Sequence, residues 1–270
     1  MVFHLAAMLK QPWHADFMAT NADGVRAVAA ACAAADSPPV LVTVSSIAAA
    51  GPSANGRPRT EDDPPAPVSR YGRSKLGGEE AAREHAKRVP ISIVRPPAVI
   101  GERDRASLPL FRAAARGVHA VPGDGSARLA MVHVADLAAA IVAAAERGER
   151  LAAPGPDAPV GQGVYFAAAT EQPTIRDLGP MLAHAVGRQR VRVLPTPAPL
   201  SKLVGGIAEG LARLRDKPSI VNYDKMIEAN AGSWICSTDK ARAQLGWEPQ
   251  ATLGERLEQT GTWYREEGWL

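Results

Sequence analysis

With 270 residues, 46% of them hydrophobic, the chain is long enough to bury a sizeable core. A formal net charge of +3 with no long run of like charge excludes a partner held by bulk electrostatics, nucleic acid above all. Its two cysteines, Cys32 and Cys236, have no histidine close in sequence, which argues against a disulfide scaffold or a metal site and reads as two buried thiols in a reducing, cytoplasmic setting.

Along the chain, apolar and β-branched runs alternate with alanine-rich helical patterns. A strand is expected near 2–6, then a helix over 15–35 that contains Asn21 and Cys32. Pro39-Val-Leu-Val-Thr-Val44 reads as a second, buried strand, and it runs into Ser45-Ser46. Prolines 52, 58, 64, 65 and 67 make the next stretch a loop. A helix over 70–88 carries Tyr71 and Lys75, and Ile91-Ser-Ile-Val-Arg95 is a third strand. Later come a helix over 135–147, a surface loop over 148–163, a strand over 163–168, and an amphipathic pattern at Leu200, Leu203, Val204, Ile207 and Leu211. Trp247, Trp263 and Trp269 read as packing residues, His133 as a core histidine and Asp136 as a helix cap or ligand. The alternation predicts an α/β fold, a parallel sheet covered on both faces. No targeting segment is read, and the alanine-rich stretches are too short to cross a bilayer, so no stable membrane insertion is expected.

The chemistry concentrates in Tyr71-Gly-Arg-Ser-Lys75. Residues four apart on a helix share a face, and an ammonium beside a phenol lowers the phenol's proton affinity and makes it a usable acid–base group. Ser46 precedes Tyr71 by 25 positions and sits at the carboxyl end of a parallel strand, where open α/β sheets place their ligands.

Strand-end Ser46, Tyr71 and Lys75, together with Val2-Phe-His-Leu-Ala-Ala7, Asn21-Ala-Asp-Gly-Val-Arg, Ile91 to Gly101, Val132-His-Val-Ala-Asp136 and Leu245-Gly-Trp-Glu-Pro249, resemble the extended short-chain dehydrogenase/reductase family, the NAD-dependent epimerase/dehydratase family, over nearly the whole chain. The resemblance implies a Rossmann-like doubly wound sheet over 1–99, to which 132–170 returns, and a smaller substrate-binding part built from 100–131 and 171–270. It also implies a catalytic set of Ser46, Tyr71, Lys75 and Asn21, with Asn21 supporting the lysine through water. Ala6, Ala7, Tyr71, Lys75 and Pro97 would then border a bound NAD or NADP.

The sequence departs from the family at its front. No G-x-x-G-x-x-G or G-x-G-x-x-G occurs in the 270 residues, so the turn that cradles the cofactor diphosphate has no counterpart. A truncated enzyme, a second chain supplying the missing strands, and a reduced relative acting as a binding or regulatory protein are the three accounts open at this point. Ile47-Ala48 stands where the family's dehydratases carry Asp-Glu, and Leu129 stands where many nucleotide-sugar members carry Arg, with Arg128 adjacent. The resemblance therefore favours oxidation or reduction of a small, less polar alcohol or ketone, possible steroid-like compounds included, over a nucleotide sugar, with a homodimer as the assembly open to it.

Overall fold

In a computed structural model, described over residues 1–9, 16–54, 56–197 and 223–270, four short strands form an all-parallel sheet. They are β1 (Val2–His4), β2 (Leu41–Val44), β3 (Ile91–Arg95) and β7 (Val164–Phe166), in the spatial order β1-β2-β3-β7. Parallel neighbours need crossovers, and the helical patterns supply them. A π-helical turn (Ala19–Asp23) leads into α1 (Gly24–Ala34), which joins β1 to β2. α2 (Ile47–Ala50), the proline-rich loop and α3 (Arg70–Arg83) join β2 to β3. The strands are shorter than the sequence suggests, and α3 ends at Arg83, after which 84–88 are turns.

Alternation along the strands distributes their side chains between two cores. Leu41, Ile91, Ile93 and Val164 pack with Val25, Ala29 and Cys32 of α1 and with Ala82 of α3. Val42, Val94 and Tyr165 pack on the other face with Ala140, Ile141 and Ala144 of α5 (Val134–Arg147) and with Trp247. Both cysteines are buried free thiols. Apolar residues with a period of two, buried on both sides, are what a helix-covered parallel sheet requires.

The chain then leaves this sheet for two small parallel pairs. β4 (Ala98–Ile100) pairs with β6 (Met131–His133), and β5 (Val118–Pro122) pairs with β8 (Arg192–Thr196). α4 (Leu108–Ala115), α6 (Ile175–Ala185) and α9 (Leu253–Glu266) close a third core around Phe111, Leu182, Leu257 and Tyr264. α7 (Tyr223–Ala229) and α8 (Asp239–Leu245) complete the described helices. His133 is buried, its Nδ1 accepting from the Ala135 N–H at the start of α5. Asp136 is no cap: it pairs with Arg256 at 2.7 Å.

The stretch 148–163 is irregular as expected but is no mere surface loop. Leu151 is buried and its N–H donates to the Ile91 carbonyl at 2.8 Å, while Ser92 donates to the Glu149 carbonyl at 2.6 Å. The amphipathic pattern at 200–211 lies outside the described residues. Among the described residues, no helix is long and apolar enough to cross a membrane.

Candidate active site

All four strands of the main sheet run the same way, so their carboxyl ends gather at one edge of the molecule. β2 ends there at Val44, and its continuation is held by the Ser45 N–H donating to the Val94 carbonyl at 2.8 Å. Ser46, in extended conformation, caps the short helix α2, its Oγ accepting from the Ala48 N–H at 3.1 Å. Next to it, the Ile47 N–H donates to the Pro96 carbonyl at 2.9 Å, tying the end of β2 to the end of β3.

α3 begins beside this edge. Ser69 caps it, accepting from the Gly72 N–H at 2.8 Å, and the Asp224 carboxylate of α7 accepts from the N–H groups of Arg70 at 2.9 Å and Tyr71 at 3.2 Å. A carboxylate at a helix N-terminus satisfies open donors and complements the helix dipole. Gly72 lets α3 approach α2 closely: a Cβ there would collide with the Ala48 carbonyl. The consequence is that the Tyr71 side chain comes near enough to the Ser46 hydroxyl for that hydroxyl to favour the phenolate.

Tyr71 is partly buried between Phe17, edge-on at 6.0 Å between ring centroids, and the Lys225 ammonium, 5.7 Å from its ring. Burial pushes its hydroxyl up to about 12; the Ser46 hydroxyl opposes that rise and the Glu228 charge adds to it. Lys75, one turn on, is buried and points at the sheet, donating to the Val44 carbonyl at 2.8 Å. Burial draws it down to about 8, against the pull of Glu79. The expected lowering of Tyr71 by Lys75 is thus not what this geometry delivers: desolvation dominates at the phenol, and the ammonium is turned to a backbone carbonyl. His4, on β1, is lowered by burial and by the nearby Lys75 charge, and its buried Nε2 has no hydrogen-bond partner.

The Asn21 side chain holds the segment after β1 against α3. It lies in the π-helical turn, where its Oδ1 accepts from the Met8 N–H at 2.7 Å and its amide donates to the Met8 carbonyl at 3.0 Å and to Ser74 Oγ at 2.9 Å. Both amide hydrogens are therefore spent clamping the segment after β1 to α3, beside Lys75 rather than on it. Ala6 is exposed and Ala7 partly buried beyond the end of β1, and Pro97 is buried beyond the end of β3. Arg128, the alternative anion binder, donates to the Gln172 carbonyl at 2.9 Å.

Two residues were passed over in the sequence. Glu79 and Arg95 form a buried pair, with Arg95 Nη2 donating to Glu79 Oε2 at 2.6 Å, and Ser45 Oγ donates to Glu79 Oε1 at 2.5 Å. The signal was present. Glu79 follows Tyr71 and Lys75 at the same four-residue interval, and Arg95 ends an otherwise uncharged, buried strand, where a charge requires a partner.

A bound dinucleotide is tested here by what the strand ends offer. At the strand ends Ser46, Tyr71 and the buried Lys75 ammonium are polar groups of the kind a nicotinamide ribose would meet, and the buried His4 Nε2 near the Lys75 charge has no partner. For the diphosphate, the 270 residues offer no glycine-rich turn.

Comparison with known proteins agrees with this geometry. The model of the NAD dependent epimerase/dehydratase family matches residues 1–156. Ceramide reductase of Caulobacter vibrioides is 31% identical over 269 residues, 99% of this chain and 74% of that protein. Among solved structures, UDP-glucuronic acid 4-epimerase of Bacillus cereus in complex with NAD superposes with a TM-score of 0.70 at 21% identity, over 98% of this chain and 74% of that one. UDP-glucose 4-epimerase of Thermotoga maritima gives 0.71 at 22% identity, over 98% and 77%. Similarity to those two structures extends to the fold. The chain belongs to the NAD-dependent epimerase/dehydratase family, within the extended short-chain dehydrogenase/reductase fold.

Proposed function

We propose that this protein is an NAD(P)-dependent oxidoreductase that reduces a ketone on a small apolar molecule, with lipid amides of the ceramide type as the first class to try. The observation that carries the reading is the meeting, at the carboxyl end of β2, of Ser46 with the α3 face that bears Tyr71 and Lys75, whose ammonium donates to the Val44 carbonyl at 2.8 Å. The ceramide reductase relative supports the direction and the substrate class.

In this mechanism Ser46 binds the substrate carbonyl oxygen and sets its distance from Tyr71. The Tyr71 hydroxyl donates its proton to that oxygen as negative charge develops there. Lys75 holds the ribose hydroxyls next to the nicotinamide, exchanging its bond to the Val44 carbonyl for them, and its positive charge stabilises the phenolate left behind. The hydride itself is the chemistry that NADH or NADPH supplies when bound. Phe17 and Lys225 wall the other side of the Tyr71 ring and exclude water from it.

Residues 1–99 and 132–170 would serve the cofactor, and 100–131 and 171–270 the substrate. The diphosphate-cradling turn would come from outside these residues, on the same polypeptide or another. A second reading, a binding or regulatory relative without turnover, draws on one feature: the Lys75 ammonium is already engaged with the Val44 carbonyl. Titration of the chain with NADH and NADPH, followed by nicotinamide fluorescence and melting temperature, separates the two readings. Saturable binding and ketone-dependent oxidation that vanish in Tyr71→Phe and Lys75→Met support the enzyme. A folded chain that neither binds nor turns over even when the diphosphate-cradling segment is supplied supports the second.

A further inference from the structure

The face of α3 that carries Tyr71 and Lys75 buries a third polar side chain one turn further on. Glu79 is 2% exposed, and both its oxygens are engaged. Oε1 accepts from Ser45 Oγ at 2.5 Å and from Arg95 Nε at 2.8 Å, and Oε2 accepts from Arg95 Nη2 at 2.6 Å. Ser45 directly precedes Ser46. Arg95 ends β3 and directly precedes Pro96, whose carbonyl takes the Ile47 N–H, and Pro97. One carboxylate therefore joins the helix bearing Tyr71 and Lys75, the strand end bearing Ser46, and the strand end leading to Pro97.

Stability alone does not explain this arrangement. Two buried charges lose their hydration, and a well-packed apolar pair of the same volume is often as stable or more so. What the two-pronged guanidinium–carboxylate bond adds is fixed distance and angle, and the Ser45 hydroxyl fixes a third direction. Other charged or titratable neighbours act on the same groups: Arg83 of α3 on both Glu79 and Arg95, Glu61 and Arg59 of the proline-rich loop on Arg95, and His4 of β1 on Lys75.

We propose that Glu79, held by Arg95 and Ser45, is the positioning residue of the Ser46–Tyr71–Lys75 site, fixing α3 in place against the ends of β2 and β3. This rests on the oxidoreductase reading of that site. The carboxylate has a second effect on the same side chains, since its charge opposes the burial that lowers Lys75.

The test uses Glu79→Gln, which keeps the shape and removes the charge, with Ser45→Ala as a milder variant that leaves the Arg95 pair in place. In Glu79→Gln, kcat for ketone reduction falls by ~10 to 100-fold, as expected for a small displacement of reacting groups, while KM for the ketone stays near its wild-type value. Ser45→Ala shows a smaller loss of the same kind. The pKa of Lys75, followed by 13Cε NMR and assigned with Lys75→Arg, drops in Glu79→Gln and holds in Ser45→Ala. That titration needs neither cofactor nor substrate. If the folded wild-type chain turns nothing over, the oxidoreductase reading fails, and positioning is then judged by Lys75 and by the Ser46–Tyr71 distance in a structure of Glu79→Gln. A folded Glu79→Gln chain with unchanged kcat, unchanged Lys75 titration or an unmoved Ser46–Tyr71 pair overturns the proposal. Should Glu79→Gln fail to fold, Ser45→Ala decides: full activity with an unmoved Ser46–Tyr71 pair overturns it.

Discussion

The two flanks of the main sheet differ. At the β7 flank every residue of Val164–Phe166 is buried, the Phe166 N–H donates to the buried Glu61 carboxylate at 2.8 Å, and the Tyr165 hydroxyl donates to Gln244 of α8 at 2.8 Å. At the β1 flank Phe3 is 41% exposed and Leu5 57% exposed, and among the described residues no strand pairs with the outer edge of β1. Ser46, Tyr71 and Lys75 lie between the two flanks. Their anchors, Arg95 and Pro96, come from the closed side, whereas the groups nearest the open side, His4 and Asn21, touch Lys75 only through charge or hold its helix from behind. A site can thus be rigidly built from one flank of a sheet and still be open at the other.

The sharpest test of that division is at the site itself. Tyr71→Phe removes one oxygen and leaves the ring in its place beside Phe17, so the fold survives while the proton donor is lost. Turnover falls by ~10²–10⁴-fold, the usual contribution of a positioned acid, and the melting temperature stays close to wild type. A kcat in Tyr71→Phe equal to wild type would remove Tyr71 from the chemistry and leave Ser46 as a simple helix cap.

Stability should divide along the same line. Ile93 is wholly buried in the middle of β3 and Phe3 is exposed on β1. Ile93→Ala leaves a cavity that the packed helices α1 and α3 cannot collapse, at ~2–5 kcal/mol by urea denaturation. Phe3→Ala, removing more atoms, costs less than Ile93→Ala because 41% of the Phe3 surface stays in water on folding. Equal losses at the two positions would mean that β1 is covered in solution by something that buries Phe3, and the comparison of flanks would have to be redrawn.

How much of this was legible beforehand follows the same physics. The parallel α/β sheet was readable because apolar runs of four or five residues, bounded by helical patterns, admit few other arrangements. Ser46, Tyr71 and Lys75 were readable because helical spacing and strand-end placement are local properties. The strand-spanning links were not. Glu79 meets Arg95 across 16 residues and Asp224 meets the Tyr71 N–H across 153, and no periodicity encodes such partners. The bonds of the Asn21 amide to Met8 and Ser74 were not legible either, because they come from a widened π-turn, and a five-residue change of helical pitch leaves no trace in an alanine-rich sequence. The segment 148–163 looked like a surface loop from its proline and glycine content, and only the fold shows that Leu151 and Ser92 sew it to β3.

Burial of Lys75 and Tyr71 also sets a pH dependence of stability. Burial draws the Lys75 ammonium down to about 8 in the folded chain, from the ordinary 10.5 of a solvated lysine. Below pH 8 both states hold the proton, and the folded state bears the cost of a buried ammonium. Between about 8 and 10.5 the unfolded chain binds more protons, so unfolding free energy rises with pH, at no more than ~1.4 kcal/mol per pH unit. Tyr71 acts in the opposite sense at higher pH: it is neutral in the folded chain up to about 12 but ionises from 10 in the unfolded chain, so stability falls again across that interval. Denaturation of wild type and Lys75→Met at pH 8, 9 and 10 isolates the lysine. The wild-type deficit should narrow at each step from pH 8 to pH 10 and level off only above about 10.5. A difference independent of pH would place the Lys75 ammonium in contact with solvent, and the open flank would then reach further under α3 than His4.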